Sequence, residues 1–306
     1  TKAYLDHRDM PDGLRDIIAI HTLNAGVAPD QTLAIFATMA AVMADEGVFV
    51  PTGGVYEIAR SLHRLAEAAG VTFHLGETVT SVRKGEVLSD SARYTPDMVV
   101  SGLDAGVLEK LMGHPRPDPD NLSCSGVAVF AALKEPLPEG TVTHSVVLPD
   151  DPQDLFDSVL SRQWPKQTMS FVNYYRPGHI YPNTQATAAF LLAAPATGAS
   201  ATVDQTWVAS ELQRSVDAMG IDASWADLID DYQVLDPEYF SDFGATGGAL
   251  YGAGRPWYRS GPFHTPGYHS LRHRWLWRVG ASVHPGGGIP AVLGGALILA
   301  ARVNQT

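Results

Sequence analysis

The feature that most restricts this chain is its closing segment, GASVHPGGGIPAVLGGALILAARV, residues 280–303, which directly follows a short β-prone run at residues 275–279. A strand that turns through glycines into a helix gathers free backbone N–H groups and the positive end of the helix dipole at one spot. Glycine also lets the main chain come close to a ligand. An anionic or carbonyl-rich ligand suits such a turn. So does a structural role in which Gly294, Gly295 and the alanines permit tight helix packing, and the residues alone leave both open. The uncharged stretch 279–301 is long enough to span a bilayer, but its six glycines, Pro285, Pro290 and His284 argue against a transmembrane helix.

Upstream, Asp12 is placed to cap a helix running through Leu14, Ile17, Ile18 and His21. A second helix over residues 31–44 carries Leu33, Ile35, Phe36, Met39, Val42 and Met43 and has no polar face. It reads either as a buried core helix or as the wall of an apolar tunnel or membrane-contacting lip. Gly53-Gly54 opens an amphipathic helix with Val55, Ile58, Leu62 and Leu65 on one face, and Gly70 stops it. Val71, Phe73 and Leu75 alternate as a strand would. Residues 78–83 and 86–88 predict a hairpin around Lys84-Gly85, and 98–101 another short strand. After Pro115, Pro117 and Pro119 the texture changes. Long β-prone runs at 125–133, 142–148, 169–175 and 186–193 predict a largely antiparallel sheet, followed by a helix over 203–219 that Gly220 ends.

With 21 Lys+Arg against 33 Asp+Glu the net charge is −12, and no basic run of five or more occurs, which excludes nucleic acid as an expected partner. Cys124 is the only cysteine, so no intrachain disulfide forms and a reducing, cytoplasmic setting fits. The opening residues, with Lys2, Asp6, His7 and Arg8, resemble neither a signal nor a transit peptide, and the chain reads as a fragment. There is no Walker A loop, no G-x-S-x-G elbow and no G-x-G-x-x-G dinucleotide fingerprint. His269 and His273 stand four apart, but no carboxylate lies between them, and no metal site is expected. Trp257, Tyr258 and Arg259, with Tyr251, Phe263 and His264 nearby, either line an apolar channel with one cation for orientation or form a packed loop. Asp150-Asp151 and Asp230-Asp231 sit in contexts that read as helix starts or surface, so an acid/base carboxylate pair has no support.

Taken in order, VPTGG before the amphipathic helix, GVTFHLGETVTSV, DMVVSGLDAGVLEKLMG, GGALYG and VGASVHPGGGIPAV resemble the carotenoid (phytoene) desaturase branch of the FAD-dependent amine oxidase superfamily. The match runs from about Tyr4 to Val303, and HPGGGIP is its most specific part. It implies an α/β fold with an α+β insertion: part of a Rossmann-like FAD-binding domain, made from residues 48–114 and 268–306, and a mixed, largely antiparallel-sheet substrate domain over 115–267, with 1–47 as its helical part. It also implies FAD contacts at Val79 (adenine) and at Gly280, Ala281, Ser282, Gly288, Ile289 and Pro290 (ribityl-pyrophosphate and flavin ring). Tyr251, Trp257, Tyr258, Arg259 and His284 are the candidates for a substrate channel.

Two departures qualify that implication. Ser282 stands where many amine oxidase relatives carry an acidic residue, so a polar contact there is weaker or indirect. The missing G-x-G-x-x-G unit predicts that this chain alone does not retain FAD stoichiometrically, although the parent enzyme does. The expected activity of the parent is dehydrogenation of a long apolar isoprenoid by hydride transfer to flavin, within carotenoid biosynthesis. A non-catalytic lipid-binding module and a flavin amine oxidase relative are the alternatives. Peripheral membrane contact and self-association through an open sheet edge are compatible with this reading. The strands at 71–75, 98–101 and 276–279 are expected side by side in one mostly parallel sheet.

Overall fold

A computed structural model describes residues 1–115, 120–198, 202–261 and 264–305; Pro117, Pro119 and Phe263 lie outside the described residues. In chain order the strands are β1 (Val79–Arg83), β2 (Glu86–Ser89), β3 (Arg93–Tyr94), β4 (Val99–Ser101), β5 (Ser125–Leu133), β6 (His144–Val147), β7 (Ser170–Tyr175), β8 (Thr187–Ala194), β9 (Ile229–Leu235), β10 (His269–Ser270) and β11 (His273–Arg278). The helices are α1 (Lys2–Asp6), α2 (Asp12–Ala19), α3 (Thr38–Glu46), α4 (Tyr56–Ala68), α5 (Ala105–Leu111), α6 (Pro152–Leu160), α7 (Gln205–Ala218), α8 (Trp225–Leu228), α9 (Pro237–Asp242) and α10 (Ile289–Val303). No helix among the described residues is long and apolar enough to cross a membrane.

The largest sheet has the order β6-β7-β8-β5-β9, and every neighbouring pair is antiparallel. Alternation explains its inner face: Val127, Val129, Ala131 and Leu133 of β5, with Phe190 and Leu192 of β8, pack against Val208, Leu212 and Val216 of α7. Asp204 caps α7 by accepting the Thr206 N–H at 2.8 Å, and Gly220, with φ 73°, lets the chain leave it. The same helix carries a buried charge, Glu211, only 2% exposed. Its Oε2 accepts the Thr168 N–H at 2.9 Å and the Arg214 Nη2 at 2.8 Å, while Arg214 Nη1 donates to Leu148 O at 2.7 Å.

The sheet β10-β11-β4 joins distant parts of the chain. β11 pairs with β4 in parallel, Leu276 opposite Val99 and Arg278 opposite Ser101, whereas β10 and β11 are antiparallel. Two of the three strands expected together are therefore neighbours. Residues 71–75 are the exception: they form no strand, and Leu75 is 81% exposed. Their alternation marks an apolar side, but no ladder partner is at hand among the described residues. The hairpin β1-β2 forms as expected, with Arg83 opposite Glu86.

Other expectations need correction. Pro11, not Asp12, is the N-cap of α2; Asp12 occupies its first turn. The apolar segment at 31–44 is a 3-10 turn, Ala34–Ala37, followed by α3, and neither contains a buried residue. Ile35 is 66% and Val42 55% exposed, so the buried-core reading fails because no described element packs across these side chains. α4 keeps its amphipathic period, yet none of its residues is buried. Asp230 and Asp231 are at the surface, one of the two settings expected of them, in the edge strand β9 that pairs only to β5. Asp151 does cap α6.

Glu211→Ala removes the anion from a buried network and leaves the Arg214 guanidinium and the Thr168 N–H without it, which costs about 3–5 kcal/mol. Urea denaturation should show a loss of that size.

Candidate functional site

β11 ends at Arg278, and two residues on Gly280, with φ 96°, turns the chain away from the strand. A Cβ built there would lie 3.4 Å from Gly102 O, so the turn after β11 rides directly on the loop after β4. Ser282, 8% exposed, faces the same loop: its Oγ accepts the Ala105 N–H at 2.9 Å. Asp104 caps α5 by accepting the Gly106 N–H at 2.8 Å and also accepts the Thr246 hydroxyl. The start of α5 is thereby closed by protein groups. Arg278 adds an ion pair to Glu109 at 3.5 Å, fixing α5 against β11.

The start of α10 is different. Its N-cap is Gly288, φ 92°, with no side-chain cap and no acidic residue in the first turn. A Cβ on Gly286 or Gly288 would meet nothing within 4 Å, and Gly288, Ile289 and Pro290 are exposed. Pro290 lacks an N–H, so the open donors are those of Gly288, Ile289 and Ala291. Gly287 has the opposite role: its absent Cβ would sit 2.5 Å from Tyr251 Cδ1, so the ring packs on bare backbone. Gly295 likewise makes room for Tyr268 and Pro285. The packing reading thus holds for Gly287 and Gly295 but not for Gly294, where a Cβ would meet nothing within 4 Å, while Gly286 and Gly288 leave the backbone open. Between the loops at 102–107, 243–252 and 281–282 lies a cavity of about 290 Å³, lined by Asp104, Val107, Phe243, Ala245, Leu250 and Ala281 among others.

A cluster behind the turn holds its shape. Arg255 donates from Nη1 to Thr265 O at 3.0 Å and from Nη2 to Ser282 O at 3.3 Å. His264, 8% exposed, places Nε2 3.2 Å from the same Ser282 O. Burial, then the Arg255 charge, press the His264 imidazole down to about 4, and the neighbouring His284 acts in the same direction. At neutral pH it is uncharged, and its Nε2–H donates to Ser282 O. The Tyr268 hydroxyl donates to His284 O, and Arg302 of α10 lies 4.9 Å above the Tyr268 ring.

The remaining candidates are dispersed. Val79 opens β1 and is 37% exposed. Trp257, Tyr258 and Arg259 form an exposed 3-10 turn, the first two 60% and 55% exposed, so the packed-loop reading does not describe them. Tyr251 lines a separate small pocket, and no described cavity brings it together with that turn. His284 is exposed. His269 lies opposite Trp277 in a hairpin and stacks on it at 4.2 Å, and no group of three metal-ligating side chains occurs among the described residues. Sequence reasoning missed Arg255, Asp104 and Thr246. A lone Arg before Pro256 and an Asp after Leu103 carry no local signal of the carbonyl or helix end they serve.

Residues 4–179 match the family of flavin containing amine oxidoreductases. The chain belongs to that family. Its curated relatives place this flavin-oxidoreductase chain in the carotenoid desaturase-like branch. It is 24% identical over 307 residues to the zeta-carotene-forming phytoene desaturase of Myxococcus xanthus, covering 95% of this chain and 59% of the relative. It is 30% identical over 310 residues to the hydroxyneurosporene desaturase of Rubrivivax gelatinosus, covering 93% and 57%. The chain therefore spans less than two thirds of the length of these relatives. Among solved structures, an oxidoreductase from Methanosarcina mazei superposes with a TM-score of 0.57 at 16% identity, over 99% of this chain and 67% of that one. A redesigned putrescine oxidase superposes with 0.57 at 15% identity, over 99% and 66%. These two establish likeness of fold.

The flavin-oxidoreductase chain fits part of a flavin dinucleotide. The open glycines and uncapped N–H groups of α10 suit its carbonyl and phosphate oxygens, and the cavity beside Ala281 suits an uncharged ring edge.

The His264 shift has a sign that can be checked. As pH falls from about 6.5, the ordinary value, to about 4, the unfolded chain gains a proton there that the folded chain refuses. Stability must drop through that window because of this group. His264→Gln keeps a donor for Ser282 O but removes the titration, so the fall in urea midpoint between pH 7 and pH 5 should be smaller in the variant.

Proposed function

We propose that these residues form part of an FAD-dependent desaturase that dehydrogenates a long apolar isoprenoid, with residues 48–114 and 268–306 contributing to a Rossmann-like FAD-binding domain and 115–267, with 1–47, forming the substrate domain. The observation that carries this reading is the parallel β4/β11 pairing that feeds an open glycine turn into α10, in a chain whose curated relatives are carotenoid desaturases. When bound, the flavin supplies the hydride acceptor. The main chain at Gly280, Ala281, Gly288, Ile289 and Pro290 would hold it, together with Val79 of β1. Ser282 acts indirectly, by tying the turn to α5.

An apolar substrate suits the outer face of the five-stranded sheet. Phe171 is opposite Leu191 and Leu191 opposite Ala128, while Phe130, 50% exposed, lies on the same face. On this side α6 and the 3-10 turn Ile20–Ala25 cover Phe171 and Ala193, Phe130 stays half-exposed beyond them, and the face adjoins the loops around the glycine turn through Leu250 and Tyr251.

In the holoprotein containing these residues, anaerobic mixing with a C40 isoprenoid in detergent micelles should bleach the oxidised-flavin absorbance, and mixing with a primary amine should not. The reverse pattern contradicts the desaturase reading. Gly288→Val should weaken FAD binding roughly tenfold, because a β-branched residue at φ 92° is strained at the point of closest approach. Unchanged affinity in a titration means that the turn does not touch the cofactor.

A further inference from the structure

We propose that Thr246, through its hydrogen bond to Asp104, is a positioning residue for the flavin ring: it pins the glycine-rich loop 243–252 against the start of α5 and so sets one wall of the cavity of about 290 Å³ beside Ala281. This rests on the FAD reading above and gives a role within it to residues outside the glycine turn.

Three segments distant in sequence meet at the first turn of α5. The Ala105 N–H donates to Ser282 Oγ, in the loop after β11, at 2.9 Å, and the Gly106 N–H donates to Asp104 Oδ1, in the loop after β4, at 2.8 Å. The Thr246 hydroxyl donates to that same Oδ1 from 142 residues away. Gly106 makes the approach possible, because a Cβ there would lie 2.5 Å from Thr246 Oγ1. Each of the three segments also lines the cavity, through Asp104, Ala245 and Ala281 among others. The walls are thus joined at one point.

The loop has little stiffness of its own. Gly244, Gly247, Gly248 and Gly252 all have positive φ, and glycine enters and leaves such conformations at low cost. Its ends are tied to other elements: the Ala245 N–H donates to Phe240 O at 3.0 Å and the Leu250 N–H to Cys124 O at 3.0 Å. Between those ties the turn bonds to itself, Gly248 N–H to Ala245 O at 2.8 Å and Ala249 N–H to Thr246 O at 3.1 Å, which shapes the turn without placing it against α5. Gly248 packs its other side on Pro237 of α9, where a Cβ has no room. Thr246 supplies the tie toward α5, and a bond to a carboxylate is stronger than one between neutral groups. Without it, the wall bearing Ala245 and Ala249 is free to shift, while the bonds from Ala105 to Ser282 and from Gly106 to Asp104 persist.

The test uses the FAD-loaded protein containing these residues. Thr246→Val keeps the side-chain shape and removes the donor; Thr246→Ser keeps the donor. Thr246→Val should raise the FAD dissociation rate roughly tenfold, the factor that follows from losing one hydrogen bond to a charged group, and should change the visible circular-dichroism band of the bound flavin. Thr246→Ser should leave both close to wild type, and Thr246→Ala, which cannot overpack the site, should repeat the valine result. An unaltered flavin band in Thr246→Val and Thr246→Ala overturns the proposal whatever the dissociation rate, since a general loosening of the fold weakens FAD without reshaping the surroundings of its ring. A serine variant that behaves like the valine one overturns it as well, and both results leave the FAD reading standing. Wild-type protein that binds no FAD overturns that reading and the proposal with it.

Discussion

The parallel ladder between Leu276–Arg278 and Val99–Ser101 is the constraint on which the rest of the site depends. It closes a loop of more than half the chain, an entropic cost that grows only slowly with loop length. Burial offsets it: Leu276 is fully buried with Val82 and Leu108, and Arg278 is paired to Glu109. The ladder extends past the strands, because the Val279 N–H donates to Ser101 O at 2.9 Å. Once these two backbones are in register, Gly280 must pass over Gly102, and Ser282 reaches the first turn of α5, 177 residues away in sequence. The open end of α10 is then positioned by consequence.

The glycine turn divides its residues between holding and opening. Gly287 and Gly295 are spaces filled by Tyr251 and Tyr268, while Gly286 and Gly288 face outward. Arg255 and His264 fix the peptide oxygen of Ser282 from behind. A turn stiffened on one side and bare on the other can present N–H groups without reorganising when a ligand arrives, which is the general advantage of a preformed site.

Much of the fold is legible in the residues. Alternation and length specify β5 over Ser125–Leu133 and α7 within its glycine stop, because one face of each is buried against the other. The misreadings share a physical cause. Periodicity says which side of an element is apolar, not what covers it. Val71, Phe73 and Leu75 alternate but find no ladder, and α3 is apolar all round yet uncovered. β9 escaped notice because an edge strand tolerates Asp230 and Asp231. In the site, glycine content announced a turn, but the bond from Ala105 to Ser282 and the clamp of Arg255 on the same residue link positions too distant for any local pattern to reveal.

The central proposal is that the loops after β4 and β11 form one continuous cofactor-facing surface. Hydrogen–deuterium exchange of the chain, with and without saturating FAD, tests it most directly. The account predicts slowed exchange at the amides of residues 102–106 and 280–291, with β5 to β8 unchanged. Protection in the five-stranded sheet with none in the two loops would contradict it.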